Sequence, residues 1–172
     1  MKIITFWLSV IILLVLSGCG SDDDNTEQSA GLPAFFISPA TITAAQGEQI
    51  DLDVVLQDIP DSLFALSFRL VYNPTMLTYL EYLTVAEESF FGTDAIEYAS
   101  VEDSIVHAAV SRKQQQQMTT GTGIVCRLRF EAVSAGTSNL EFPAEQLHFY
   151  DETGSEITIQ DLELEGASVT IP

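Results

Sequence analysis

Cysteine is scarce in this chain: two among 172 residues, Cys19 and Cys126. Cys126 falls in an alternating apolar stretch between Val125 and Leu128, where a free thiol is a small core hydrophobe rather than a nucleophile. No disulfide is expected, so the fold must be held by its core. Basic residues are scarcer still relative to their opposites, six Lys and Arg against 25 Asp and Glu. No basic stripe exists to release counterions from phosphates, and a polyanion would be repelled over long range, which excludes nucleic acid as a partner. Histidine occurs twice, as His107 and His148, and neither stands in a His-Glu-x-x-His arrangement. No Gly-x-Ser-x-Gly elbow occurs. These absences argue against an enzyme and against a resident cofactor or metal. Apolar runs are short: the longest, residues 6–16, falls well below the ~20 residues a membrane-spanning helix needs. No repeat at solenoid or propeller spacing is present.

What is there begins with Lys2, the apolar run and then Leu16-Ser17-Gly18-Cys19. A short positive segment, an apolar segment and small residues before a cleavage point make a secretory signal. The run resembles the bacterial lipoprotein lipobox. That resemblance implies removal of residues 1–18, lipidation of Cys19 and attachment of the exported chain to a membrane. Several acyl chains hold more firmly than the marginal binding of one. Gly20 stands where many lipoproteins retained at an inner membrane carry Asp, so an outer membrane or cell surface is expected. Without Lys2 the chain keeps five basic residues against twenty-five acidic ones, a formal charge of −20.

Residues 19–32 are polar and acidic, with Asp22-Asp23-Asp24 and no large apolar residue before Leu32. Such a segment cannot bury enough surface to fold and reads as a flexible tether. Residues 33–172 have even apolar content and the length of one domain with its own core.

Within that domain the period is two. Ile50, Leu52, Val54 and Leu56 alternate with Asp51, Asp53, Val55 and Gln57; Phe64, Leu66, Phe68, Leu70 and Tyr72 alternate with Ala65, Ser67, Arg69 and Val71; Ile124, Cys126, Leu128 and Phe130 alternate with Val125, Arg127, Arg129 and Glu131. Each run reads as a strand with one greasy face. Further strands are expected near residues 34–38, 77–83, 96–100, 104–111, 137–142, 146–150, 156–159 and 167–171. Short turns are expected at residues 73–76 and 85–90, and an exposed loop over Gln114 to Gln117 and Thr119 to Gly123. Many short strands separated by turn residues predict an all-β, two-sheet antiparallel sandwich.

Three pieces carry a family resemblance. Gly47-Glu48 followed by Ala65-Leu66-Ser67-Phe68-Arg69-Leu70-Val71-Tyr72-Asn73-Pro74-Thr75-Met76-Leu77 resembles the cohesin signature, in which a strand ends in Tyr-Asp/Asn-Pro-x-x-Leu. The run from Gly121 to Ala132, with Ala135-Gly136-Thr137-Ser138-Asn139-Leu140 after it, is similar to the family's glycine-rich turn, apolar strand and hairpin. Phe149-Tyr150-Asp151-Glu152-Thr153-Gly154 and Gly166-Ala167-Ser168-Val169-Thr170-Ile171 fit its last part. The resemblance implies a jelly-roll sandwich akin to carbohydrate-binding modules. It also implies a dockerin as partner, a small helical module that carries its own calcium and belongs to exported proteins such as polysaccharide-degrading enzymes. Binding in this family occurs on a flat sheet face. By alternation that face would present Ala65, Ser67, Arg69 and Val71, with His107, Ala109 and Ser111 from the strand at 104–111, and Arg112 and Lys113 at its end. The type I pattern offers Asn and Asp where this chain has Ala65 and Ser67.

Other readings stay open at this point. Direct sugar binding would use exposed rings, and Tyr79, Tyr82, Phe90, Phe91 and Tyr98 are the candidates. A structural or adhesive envelope role would need neither sugar nor dockerin. The carboxylate pairs Glu87-Glu88 and Asp151-Glu152 are read as solvated charge rather than a glycosidase pair. Asp151, Glu152 and Glu156 are read as a charged turn rather than a calcium loop, since the EF-hand spacing is absent.

Overall fold

The computed structural model describes residues 31–85, 89–114 and 116–172. The expected signal peptide, Cys19, nearly all of the tether and the Glu87-Glu88 pair lie outside the described residues. In chain order the strands among the described residues are β1 Ala34–Ser38, β2 Thr41–Thr43, β3 Gln49–Leu63, β4 Ala65–Val71, β5 Leu77–Leu83, β6 Ile96–Glu102, β7 Ile105–Ser111, β8 Thr119–Ala132, β9 Gly136–Leu140, β10 His148–Tyr150, β11 Glu156–Ile157, β12 Glu163–Glu165 and β13 Ala167–Ile171.

The period-two pattern is what sorts them into layers. In β3 the residues Ile50, Leu52, Val54 and Leu56 are buried while Asp51 and its alternates face out; in β4 Leu66, Phe68 and Leu70 are buried while Arg69 and Val71 are exposed. One five-stranded sheet has the order β12-β1-β3-β8-β5 and the other β11-β10-β4-β7-β6. The chain therefore crosses directly from one of these sheets to the other between β3 and β4, β4 and β5, β5 and β6, β7 and β8, and β11 and β12. These crossings build the two-sheet, all-β sandwich expected from the sequence. A third, small sheet, β2-β13-β9, adds Leu140, Val169 and Ile171 to the same core.

The core lies between the two five-stranded sheets, and aromatic rings stitch them together. Phe35 of β1 meets Phe68 of β4 edge-on with ring centroids 5.4 Å apart, and Phe142 closes the group at 4.5 and 5.7 Å. Phe130 of β8 is flanked by Tyr72 at 5.2 Å and Tyr79 at 5.6 Å. Such pairs add about 0.5–1.5 kcal/mol each beyond the area they bury. Cys126 is a free, fully buried thiol among these side chains, as the alternation predicts. Burial pushes its pKa well up, which removes the thiolate a nucleophile would need.

Several details depart from the sequence reading. Residues 119–123 do not form an exposed loop: they are the first third of β8, paired with the far end of β3 as Ile59↔Gly121 and Leu63↔Thr119. The cause is a pair of register shifts in β3, where Asp58 takes a positive φ of 51° and the ladder skips past Pro60. Bulging lets a strand continue through residues that punctuate most sequences. Strands β2 and β12, three residues each, are too short to leave a periodic trace, and β10 starts at His148 because Ala144–Gln146 forms a short 3-10 turn. Nor is every pairing antiparallel. β1 runs parallel to β12, and β2 parallel to β13, because the chain visits the opposite sheet before returning to those edges. Where β13 enters beside β9, a Cβ on Gly166 would lie 2.0 Å from the Leu140 carbonyl oxygen, so only glycine fits.

Candidate partner-binding face

The outward side of the second sheet is built row by row from strand register. β4 sits centrally, with β10 on one side and β7 on the other, and β6 lies beyond β7. The rows read Tyr150, Ala65, Ser111, Ile96; then His148, Ser67, Ala109, Tyr98; then Arg69, His107, Ser100; then Val71, Ile105, Glu102. Seven of the residues expected from sequence, Ala65, Ser67, Arg69, Val71, His107, Ala109 and Ser111, thus stand side by side on one surface.

The surface is apolar at its rim and small-residued at its centre. Ile96 is 58% and Tyr98 62% exposed, and Val71 also stands out into solvent. Between them Ala65, Ser67 and Ala109 keep the middle low. A depression of about 270 Å³ lies over Ser67, Arg69, His107 and His148, and a smaller one of about 200 Å³ is bordered by Ile96, Tyr98 and Tyr150. His148 is oriented by a 2.7 Å hydrogen bond between its Nδ1 and Glu156 Oε1.

The opposite outward face has a different construction. Arg127 donates to both carboxylate oxygens of Asp53 at 2.6 and 3.0 Å. Arg129 does the same to Asp51 at 2.7 and 2.9 Å and reaches Glu81 at 3.0 Å. These pairs sit directly across the β3–β8 and β5–β8 ladders. The hydrogen bond from Arg129 holds the Asp51 carboxyl below its ordinary value of 3.8. On that face both arginines are satisfied by carboxylates of the same sheet.

Arg112 and Lys113 do not belong to the flat face. The Arg112 side chain bonds the Thr119 hydroxyl of β8, and its Nε is buried with no hydrogen-bond partner among the described residues. Lys113 lies 3.6 Å from Asp94 in an exposed pair. Both mark the corner where β7 ends, because alternation is lost once the ladder stops.

The other chemistries considered from sequence find weaker footing. Of the five candidate rings for sugar stacking, Phe90 and Phe91 are buried, Tyr79 and Tyr82 are half-buried, and Tyr98 alone of the five is exposed. Burial pushes Tyr79 up to about 12. Asp151 is consumed by its own turn, its Oδ1 accepting from Thr153 N at 2.8 Å, Thr153 Oγ1 at 2.6 Å and Ser155 N at 2.9 Å. Those bonds hold it ionised below the usual range, the reverse of what a general acid needs. Glu156 is engaged with His148. Among the described residues no group of three or more His, Cys, Asp or Glu could hold a metal ion, and no helix is long and apolar enough to cross a membrane.

The sequence profile of the cohesin domain matches residues 35–161, most of the chain. The chain belongs to the cohesin family. Among solved structures this cohesin is similar to a type II cohesin domain from the cellulosome of Acetivibrio cellulolyticus, with TM-score 0.66 and 13% identity over 81% of this chain and 95% of that one. It is similar to the non-cellulosomal cohesin of the archaeon Archaeoglobus fulgidus, with TM-score 0.64, 14% identity and 83% and 92% coverage. A third is the OlpA cohesin of Clostridium thermocellum, solved as a type I cohesin–dockerin complex, with TM-score 0.64, 18% identity and 83% and 100% coverage. Identities this low establish the shared fold. Among curated proteins none matches the sequence significantly. Cohesin domains are non-catalytic protein-binding modules, which is consistent with the reading that this chain is not an enzyme.

Sequence reasoning missed part of the face. Ile96, Ser100, His148 and Tyr150 belong to it, and Tyr98 entered only as a ring for sugar stacking. The strands at 96–100 and 146–150 were legible from alternation. Their position flanking β4 and β7 was not, because pairing order leaves no local signal.

Proposed function

We propose that this cohesin is a lipid-anchored docking module, tied to an outer membrane or cell surface through Cys19 and held off it by the acidic segment 19–32. Its β10-β4-β7-β6 face receives a dockerin-type module that carries its own calcium, and so recruits exported proteins, among them polysaccharide-degrading enzymes. The observation that carries this reading is the contrast in the sandwich: one outward face ties its arginines into cross-strand ion pairs, while the other offers apolar rims around small residues. Flat faces with exposed apolar side chains and few internal ion pairs are the kind that exclude water on docking. Small residues at positions 65, 67 and 109 permit close approach of a helix. The OlpA cohesin supports the reading, since it was solved bound to a dockerin on the same fold.

The test is capture of the source organism's exported proteins on the immobilised chain, in calcium and then in chelator. Calcium-dependent retention of dockerin-bearing proteins is the expected result. Failure in an organism shown to express dockerins would sink the docking role and leave an envelope-structural one.

A further inference from the structure

The docking face carries a guanidinium that the molecule does not neutralise. Arg69 is exposed, and among the described residues it has no hydrogen-bond or ion-pair partner. The other cations of the described residues are treated otherwise: Arg127 and Arg129 are held bidentately by Asp53 and Asp51, Lys113 pairs with Asp94, and Arg112 bonds Thr119. In a chain with 25 acidic residues against six basic ones, an unclaimed arginine on an apolar face is a selective feature.

Its surroundings add to it. His107 stands directly across the β4–β7 ladder from Arg69, and His148 stands across the β4–β10 ladder from Ser67, one row away. Both histidines of the chain thus border the same depression of about 270 Å³ as Arg69. Drug-sized ligand pockets run from about 300 to 1,000 Å³, so this open hollow suits a single side chain better than a free small molecule. The acids that the register places on the face are Glu156, engaged with His148, and Glu102 in the last row.

Resting on the docking reading for its partner, we infer that this depression seats one carboxylate side chain, Asp or Glu, from the docking helix. Arg69 supplies the charge and a fork of donors that fits a carboxylate bidentately, and His107 and Ser67 supply neighbouring hydrogen-bond donors. The chain as a whole carries 25 acidic residues against six basic ones, so a partner acid meets net repulsion elsewhere on the molecule. One positive seat therefore fixes orientation as well as strength, by attraction at the seat and repulsion around it.

Two measurements test this independently. In the first, N-acetyl-glutamate methylamide and its neutral glutamine counterpart are titrated against the full chain, with the Arg69 Nε–H and His107 ring signals followed by NMR. The glutamate probe should shift both signals saturably, weaken in 0.5 M salt as screening shortens, and lose roughly tenfold in affinity with Arg69→Gln. Equal shifts from both probes, or a His107 shift unchanged by Arg69→Gln, overturn the seat. In the second, dockerin-bearing proteins captured in calcium are compared on wild type, Arg69→Lys and Arg69→Glu, with melting temperature as the folding control. Capture falling in that order supports the seat, and equal capture on all three overturns it while leaving the docking role standing. A positive probe titration without any calcium-dependent capture supports the seat and removes the dockerin as its source.

Discussion

The two outward faces of the sandwich come from the same strand pattern and end up opposite in character. On the β3–β8 face each outward arginine finds a carboxylate directly across the ladder, so Arg127 pairs with Asp53 and Arg129 with Asp51. On the β4–β7 face the residue opposite Arg69 is His107, and the remaining outward positions are small or apolar. Cross-strand neighbours are the unit of interaction on a sheet. The first face is therefore finished within the molecule, and the second is left to be completed by another.

The largest expected effect separates the two sides of one strand. Phe68 and Arg69 are adjacent in β4, one fully buried against Phe35 and Phe142, the other exposed. Phe68→Ala should cost about 3–5 kcal/mol of stability by urea titration, the usual range for a deleted core ring, and a loss under 1 kcal/mol would undo the layer assignment. Next comes the outer side: Ser67→Asp with Arg69→Glu should weaken partner binding roughly a hundredfold, about 2.7 kcal/mol. The urea midpoint should stay nearly unchanged, because neither side chain enters the core. Unchanged binding would remove this face from the docking proposal.

On the paired face the effects are smaller and reversed in kind. Arg129→Met should lower the urea midpoint only slightly, as expected for a largely exposed ion pair, and leave partner capture untouched. Lost capture would mean that both faces bind. The smallest effect is on pH. Asp51 has its folded-state pKa depressed below 3.8 by the Arg129 hydrogen bond. Its contribution is therefore complete above the ordinary carboxyl pKa and is lost as pH falls through the lower folded value. Wild type should lose slightly more stability than Arg129→Met between pH 5 and pH 2, read as midpoint shifts in urea. Equal losses would show that the pair is silent.

Much of this was legible in the residues. Alternation in β3, β4 and the second half of β8 told inside from outside correctly, including Cys126 in and Ser67, Arg69, Val71 and Ala109 out; Val125, expected to face out, is fully buried because a bulge opposite Val54 and Val55 skips it in the ladder. It failed at residues 119–123, where glycine and threonine read as a loop but a bulged β3 supplies ladder partners. It also failed at Arg112, where the strand ends and the side chain turns toward Thr119 rather than to the face.

The sequence by itself determined the period, most of the strand segments, the family and the overall acidity, because each of these is written in residues close along the chain. Only the tertiary structure decided which strands lie side by side. Ile96, Tyr98 and His148 join the face through ladders whose partners are 11 to 81 residues apart in sequence. The same ladders set a carboxylate across from Arg129 and a histidine across from Arg69. Pairing order and register arise from burying two sheets against each other, and that is a property of the whole chain.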